Sequence, residues 1–137
     1  MAHECIVVKA GAAGRGSTGL DYFAGVSRLN AGSTKLSLQL VRFPPGARSK
    51  AHLHTDQESA LYVLSGRVGM WHGDELSAYD EAGAGDFVFV PAGVPHLPFN
   101  LSDVEPAEAV VARSDADEQE SVVPLPELDA LPHVQPA

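Results

Sequence analysis

The sequence predicts an all-β domain, a sandwich or small barrel, and three observations carry that prediction. Thirteen glycines and ten prolines break the 137-residue chain into segments too short for long helices. Lys35-Leu36-Ser37-Leu38-Gln39-Leu40 alternates polar and apolar residues with the two-residue period of a strand, placing Leu36, Leu38 and Leu40 on one face, read as the buried one. Ala60-Leu61-Tyr62-Val63-Leu64 and Phe87-Val88-Phe89-Val90 are unbroken apolar runs rich in β-branched and aromatic residues, the composition of strands covered on both faces.

Taken along the chain, residues 1–34 read as an N-terminal loop and edge strand. Gly14-Arg15-Gly16-Ser17-Thr18-Gly19 matches the glycine pattern of dinucleotide sites, but the chain then runs through Asn30-Ala31-Gly32 into an alternating strand. A dinucleotide site needs a substantial helix after the glycines and a second parallel strand, so the stretch reads as a flexible loop. Residues 35–113 form the barrel core, with Ala109-Val110-Val111-Ala112 as its last strand. Turns fall at Pro44-Pro45-Gly46, Ser65-Gly66, His72-Gly73-Asp74, Gly83-Ala84-Gly85-Asp86 and Pro91-Ala92-Gly93. From Ser114 an acidic stretch leads into apolar residues spaced by prolines, Val122, Val123, Leu125, Leu128 and Leu131. Such residues cannot build a core of their own, so 114–137 reads as an extended arm lying on the barrel or on a partner subunit.

Charge and composition narrow the function. Nine basic against eighteen acidic residues leave a net charge of −9, a surface that repels phosphate backbones and anionic headgroups, so neither nucleic acid nor membrane is expected as a partner. No run approaches the roughly 20 apolar residues of a membrane helix, and Met1-Ala2-His3-Glu4 lacks a signal peptide's basic start. The single cysteine, Cys5, has no intrachain partner and fits a reducing compartment, so the expected location is the cytoplasm. Asn100-Leu101-Ser102 fits a glycosylation pattern that has meaning only in a secretory setting.

The chemistry points to histidine. His52 and His54 are one residue apart on an extended segment, so both imidazoles face the same side and reach one ion. His96 follows a strand and a tight turn, Phe87 to Val94-Pro95, that return the chain toward the same place. Three convergent neutral imidazoles suit one divalent transition metal (Fe, Zn, Ni, Mn or Cu) with positions left open for water or substrate.

The spacing Gly46-x5-His52-x-His54-x3-Glu58-x7-Gly66 resembles the first motif of the cupin superfamily, and Gly85-x5-Pro91-x-Gly93-x2-His96-x3-Asn100 resembles the second. The resemblance, to small single-domain cupins, implies a jelly-roll-like barrel called a double-stranded β-helix that binds one metal at its mouth through the motif histidines. It also implies a ligand glutamate with six residues before the closing glycine, and that position here is Ser59 rather than Glu58. Residues 59, 61 and 63 share a strand face, so Glu58 points outward unless the loop from Thr55 bulges. Two arrangements stand: a three-histidine site with Glu58 structural, or Glu58 as fourth ligand, with Gln57 the lesser substitute.

Tyr62, Trp71, Phe99, Arg42 and Asn100 are candidates to line the cavity, although aromatic residues in barrels are more often core, and Asn100 matches a motif position expected to hold a structural hydrogen bond. His72 reads as a solvent-facing turn residue, and His3 and His133 as terminal residues without chemistry. Ser59 has no evident base, which argues against covalent catalysis. The expected function is a metal-dependent enzyme acting on a small chelating organic substrate (diketone, phenol, thiol or enol), with dioxygenase chemistry first. That ranking rests on resemblance to three-histidine iron cupins. The alternatives are a non-redox isomerase, lyase or cyclase, or a cupin that only binds metal or ligand. Open barrel edges and the apolar arm point to a homodimer.

Overall fold

The structure, a computed structural model, describes residues 4–11, 13–15, 19–117 and 122–136. His3, the centre of the glycine-rich stretch at 16–18 and residues 118–120 of the acidic stretch lie outside the described residues. The elements are β1 (Ala13–Arg15), β2 (Asp21–Val26), α1 (Arg28–Ala31), β3 (Ser37–Phe43), β4 (His52–His54), β5 (Ser59–Ser65) and β6 (Arg67–His72). They continue with β7 (Ala78–Gly83), β8 (Phe87–Val90), β9 (His96–Asn100), β10 (Ala107–Arg113), β11 (Val122–Pro124) and α2 (Pro126–Asp129). They form two antiparallel sheets in the orders β1-β2-β3-β10-β5-β8 and β11-β4-β9-β6-β7, the jelly-roll arrangement expected from the sequence.

The flank of the glycine-rich stretch is an antiparallel pair, Ala13 opposite Phe23 and Arg15 opposite Asp21, rather than a strand feeding a helix, which leaves the dinucleotide pattern without its structural context. Leu20, Val41, Phe43, Val63, Val68 and Val111 fill the space between the sheets. Gly66, at φ 77°, closes the β5–β6 hairpin where a Cβ would lie 2.7 Å from that of Ala107, so a side chain there meets both backbone strain and a clash.

One strand presents its faces opposite to the sequence reading. On β3 the inward residues are Ser37, Gln39, Val41 and Phe43, whereas Leu36, Leu38 and Leu40 point outward. The period of two was legible, but the buried face is fixed by pairing with β10, where Gln39 stands opposite Val111 and Ser37 opposite Arg113. Outward side chains on β5 and β8 are also uncovered in the single chain, with Phe87 79% and Phe89 59% exposed.

The arm folds on its own subunit. β11 pairs with β4, Val122 opposite His54 and Pro124 opposite His52. The chain then makes α2 and a 3-10 turn at Pro132–Val134, each with a proline in its first turn, where the missing N–H has no partner to lose. Val134 is fully buried with Ala51, Leu76 and Leu97, and Leu125, Leu128 and Leu131 pack around them. The arm thus covers the outer face of the smaller sheet and braces the strand that carries two of the histidines. Among the described residues no helix is long and apolar enough to cross a membrane.

Candidate metal centre

β4 buries both of its histidines, as the i, i+2 spacing requires, while Leu53 between them turns the other way. β9 supplies the third, with His96 directly opposite His52 in the ladder. The turn before β9 is pinned to β4 by the Gly93 N–H, which donates to the His54 carbonyl at 2.7 Å. One nitrogen from each of His52, His54 and His96 lies within 4.8 Å of the others, and all three residues are buried.

The ring hydrogen bonds fix which nitrogen faces the centre. His52 Nδ1 lies 2.7 Å from the Lys50 carbonyl and His96 Nδ1 lies 2.9 Å from the Val94 carbonyl. A carbonyl only accepts, so each Nδ1 carries its proton and each Nε2 presents a lone pair. Burial pushes the His54 and His96 rings down to about 3 and lowers His52 as well. The Arg113 guanidinium pushes all three further in the same direction. The rings are therefore neutral at pH 7, the form in which imidazole ligates a metal. The donor set fits a divalent transition metal, and His52, His54 and His96 are the residues that could hold it.

The other sequence candidates lie elsewhere. Glu58 is exposed, and its backbone N–H donates away from the cluster, to Ser114 Oγ at 2.9 Å. No bulge turns it inward. Its neighbour Ser59 takes the inward position that strand parity assigns and is 4% exposed. Gln57 is half-buried in the preceding loop. Tyr62 points out of the larger sheet and packs on Phe87, ring centroids 4.8 Å apart. Trp71 and Phe99 line a groove of about 370 Å³ with Arg48, Tyr79 and Val134, away from the histidines. All three aromatics occupy the outward phase of their strands, so none lines the histidine cavity. Arg42 is exposed. Asn100 is buried and donates from Nδ2 to the carbonyls of Phe43, Pro44 and Glu105 while Oδ1 accepts from Ser102 N–H. His133 reaches the Leu76 carbonyl at 2.9 Å, a tether for the arm.

Arg113 escaped the sequence reading, and His72, read as solvent-facing, has a partner. Arg113 is buried, at 7% exposure, and its Nε donates to Ser59 Oγ at 3.1 Å. With His52, His96 and Ser59 it lines an internal cavity of about 40 Å³. Its signal was available, because 109, 111 and 113 share a strand face and Ala109 and Val111 are plainly core. His72 stands opposite His96 on β6, paired to Asp80 at 2.8 Å rather than simply solvated. Both line a groove of about 430 Å³ that also holds Met70, Phe87, Phe89 and Val94. His96 and Met70 border both spaces and stand between the inner cavity and the open groove.

A search of curated proteins finds no match to this chain. Among solved structures, Bacillus subtilis oxalate decarboxylase, in a study of its Mn(II) centres, is similar at 25% identity with a TM-score of 0.66. The match covers 80% of this chain but 29% of that one, so this chain spans less than a third of the decarboxylase. A Lactobacillus farciminis oxalate decarboxylase in complex with formate aligns over 83% of this chain and 33% of its own at 18% identity, TM-score 0.69. The Schizosaccharomyces pombe Cnp3 cupin domain aligns at 12% identity over 70% and 64% of the two chains, TM-score 0.61. The sequence profile of the Cupin domain matches residues 39–113, the span that carries both histidine motifs and seven of the strands that hold them. Because that match takes in more than half of the chain, the protein belongs to the cupin family.

Proposed function

We propose that this protein is a metal-dependent enzyme acting on a small organic molecule, with His52, His54 and His96 as the metal ligands and Glu58 outside the set. The observation that carries the reading is the convergence of three neutral, buried imidazoles beside a groove large enough for a substrate. A bound divalent metal supplies open positions for substrate oxygens and, if it is iron, for O₂. Val88, Val90 and Val94 offer the substrate body an apolar wall. His72, oriented by Asp80 at 2.8 Å, is placed in the same groove to accept or return a proton.

Oxygenase chemistry on a chelating substrate, a diketone, phenol, thiol or enol, is the first reading. Its test is oxygen uptake by the iron-loaded protein against a panel of those compounds. Uptake with one class, lost when His96 is changed to Ala, supports it, and no uptake with any member overturns it. The likeness to oxalate decarboxylases favours a second reading, non-redox lyase chemistry, which manganese-loaded protein releasing CO₂ from oxalate without oxygen uptake would establish. Return of a bound compound unchanged under both regimes would mark a binding protein.

We further propose that the active form is a homodimer joined through the outer face of the larger sheet. Two cross-strand rows there are wholly apolar: Phe23-Leu40-Val110-Tyr62-Phe87 and Val26-Leu38-Ala112-Ala60-Phe89. Five strands at roughly 4.8 Å and two residue rows at roughly 7 Å make a face of about 340 Å² in projection, before side-chain relief is counted. A standard interface needs about 800 Å² per partner, and a second copy of the same face supplies a matching apolar surface. The strand composition, that of strands covered on both sides, asks for such a cover.

The division into a core at 35–113 with additions at 1–34 and 114–137 is part of the same proposal, supported by a family match that falls inside the core. A cytoplasmic setting is supported by the exposed, free thiol of Cys5.

A further inference from the structure

Three neutral imidazoles leave a bound divalent cation with its full charge, and the described residues place no carboxylate in the cluster. Instead, a guanidinium faces it across a cavity of about 40 Å³, held by the Nε donation of Arg113 to Ser59 Oγ. The phase of β5 and β10 makes this arrangement, since Ser59 and Arg113 are opposite in the ladder and both turn inward. Asp115 and Tyr22 lie where a negative charge favours the guanidinium, and of the two only Tyr22 lines the cavity. Next to the lining residues Arg113 and Val111, β3 carries buried polar groups outside the cavity lining. Ser37 Oγ and both amide atoms of Gln39 are buried without a hydrogen-bond partner, at 1% and 2% residue exposure. Ser37 is the ladder partner of Arg113 and Gln39 that of Val111, which puts them beside the cavity wall.

We propose that Arg113 and Ser59 make this centre a receptor for a small oxyanion, a carboxylate in the first instance, which takes an open metal position with one oxygen and pairs with the Arg113 guanidinium through the other. This names the substrate class of the site proposed above and rests on the metal reading of the histidines. The inner cavity admits the carboxylate group alone. Any larger substrate body passes His96 into the groove of about 430 Å³. Guanidinium is suited to the task because its planar donors match a carboxylate and its charge persists when buried.

The test is titration of cobalt(II)-loaded protein with acetate, and with acetamide as the neutral analogue of the same size. It is followed by the visible cobalt bands and by calorimetry at fixed ionic strength. Wild-type protein should give saturable band changes with acetate and none with acetamide. Arg113→Gln should keep its cobalt and bind acetate at least tenfold more weakly. Ser59→Glu, which installs a carboxylate beside Arg113, should hold cobalt more tightly and lose the acetate response. Unchanged acetate affinity in Arg113→Gln, or acetamide binding as well as acetate, overturns the proposal. If Arg113→Gln does not fold, Ser59→Glu decides, and a persisting acetate response in it is the overturning result. Failure of the wild-type protein to take cobalt overturns the metal reading. Calorimetry on the metal-free protein then decides the anion site separately, because acetate binding that needs Arg113 sustains it and no binding removes it.

Discussion

His52 and His96 are ladder partners across β4 and β9, with ring centroids 4.2 Å apart, so the candidate centre is built into the sheet itself. Directly opposed residues on one face of an antiparallel pair are close neighbours by geometry alone, and the hydrogen bonds of the ladder hold them there. A centre on strands is more rigid than one assembled from loops.

The first prediction concerns the ligand set. His96→Ala should abolish near-stoichiometric binding of a divalent transition metal, read by plasma mass spectrometry of protein purified without chelators or a polyhistidine tag. Glu58→Ala should leave it unchanged, because the exposed Glu58 is bound through its backbone to Ser114 and turns away from the rings. Loss of metal in Glu58→Ala would restore the four-ligand arrangement.

Asn100 should be among the most sensitive positions outside the centre. Its amide holds three carbonyls and receives one N–H, joining the end of β9 to the turns after β3 and before β10. Asn100→Ala leaves buried carbonyls without their donor, and urea titration should show a loss of roughly 2–4 kcal/mol. Asn100→Asp, which keeps the size but loses the donating NH₂, should lose a comparable amount. Wild-type stability in either variant would mean that water replaces the side chain.

Acid should destabilise the metal-free protein well above the range where carboxylates titrate. His54 and His96 are held near 3 when folded, against an ordinary value of 6.5, so between those values the unfolded chain binds more protons than the folded one. That contribution is present above about 6.5 and is lost as pH falls toward 3. Each such histidine removes up to about 1.4 kcal/mol per pH unit, and metal binding should offset the loss while it lasts. A melting temperature of the metal-free protein that stays flat from pH 7 to pH 5 would show that the rings are more accessible than their burial implies.

Much of this molecule was legible in its sequence, and the parts that were not share a cause. The strands, their turns and the three convergent histidines follow from periods and spacings that depend on the local chain. The facing of β3 does not. An alternating strand shows two faces, and which one meets the core depends on neighbours that the local pattern does not contain. The apolar face of Leu36, Leu38 and Leu40 was read as buried by its own sheet, yet the inward face carries Ser37 and Gln39 beside the polar end of the cavity. Arg113 was missed for a related reason, since a charge at a strand end is ordinarily solvated and only the pairing with β5 shows it turned inward. Tyr62, Trp71 and Phe99 are attractive by type and excluded by phase.

The outward apolar rows give a direct prediction about assembly. Sedimentation equilibrium should find about twice 14.4 kDa at micromolar concentration, and Phe87→Asp combined with Phe89→Asp should shift it to the monomer while the fold persists. Both side chains are more than half exposed in the single chain, so charging them should not disturb its core. A monomeric wild-type protein would leave the face uncovered and sink the proposed interface.

The arm and the centre should prove to be coupled. Asp129 Oδ1 accepts the Ala51 N–H at 2.7 Å, the Leu125 N–H donates to the Ala51 carbonyl at 2.9 Å, and Ala51 immediately precedes His52. β11 then pairs with all three residues of β4, so the strand bearing two histidines lies between β9 and the arm. Two variants separate packing from positioning. Val134→Ala removes buried apolar volume on the outer face of the smaller sheet, without touching the hydrogen bond beside His52, and should lower stability by roughly 2 kcal/mol with little effect on metal affinity. Asp129→Ala removes the bond next to His52 and should weaken metal affinity by about tenfold, the lower end of what outer partners of metal ligands contribute, with a smaller change in stability. Competition with a chelator of known affinity reads the first quantity and urea titration the second. If both variants fall on the same line of affinity against stability, the arm acts only as a cover for Leu76 and Leu97. If they diverge in the stated sense, the arm sets the position of β4, and the centre is completed by a segment outside the part of the chain that the family profile matches.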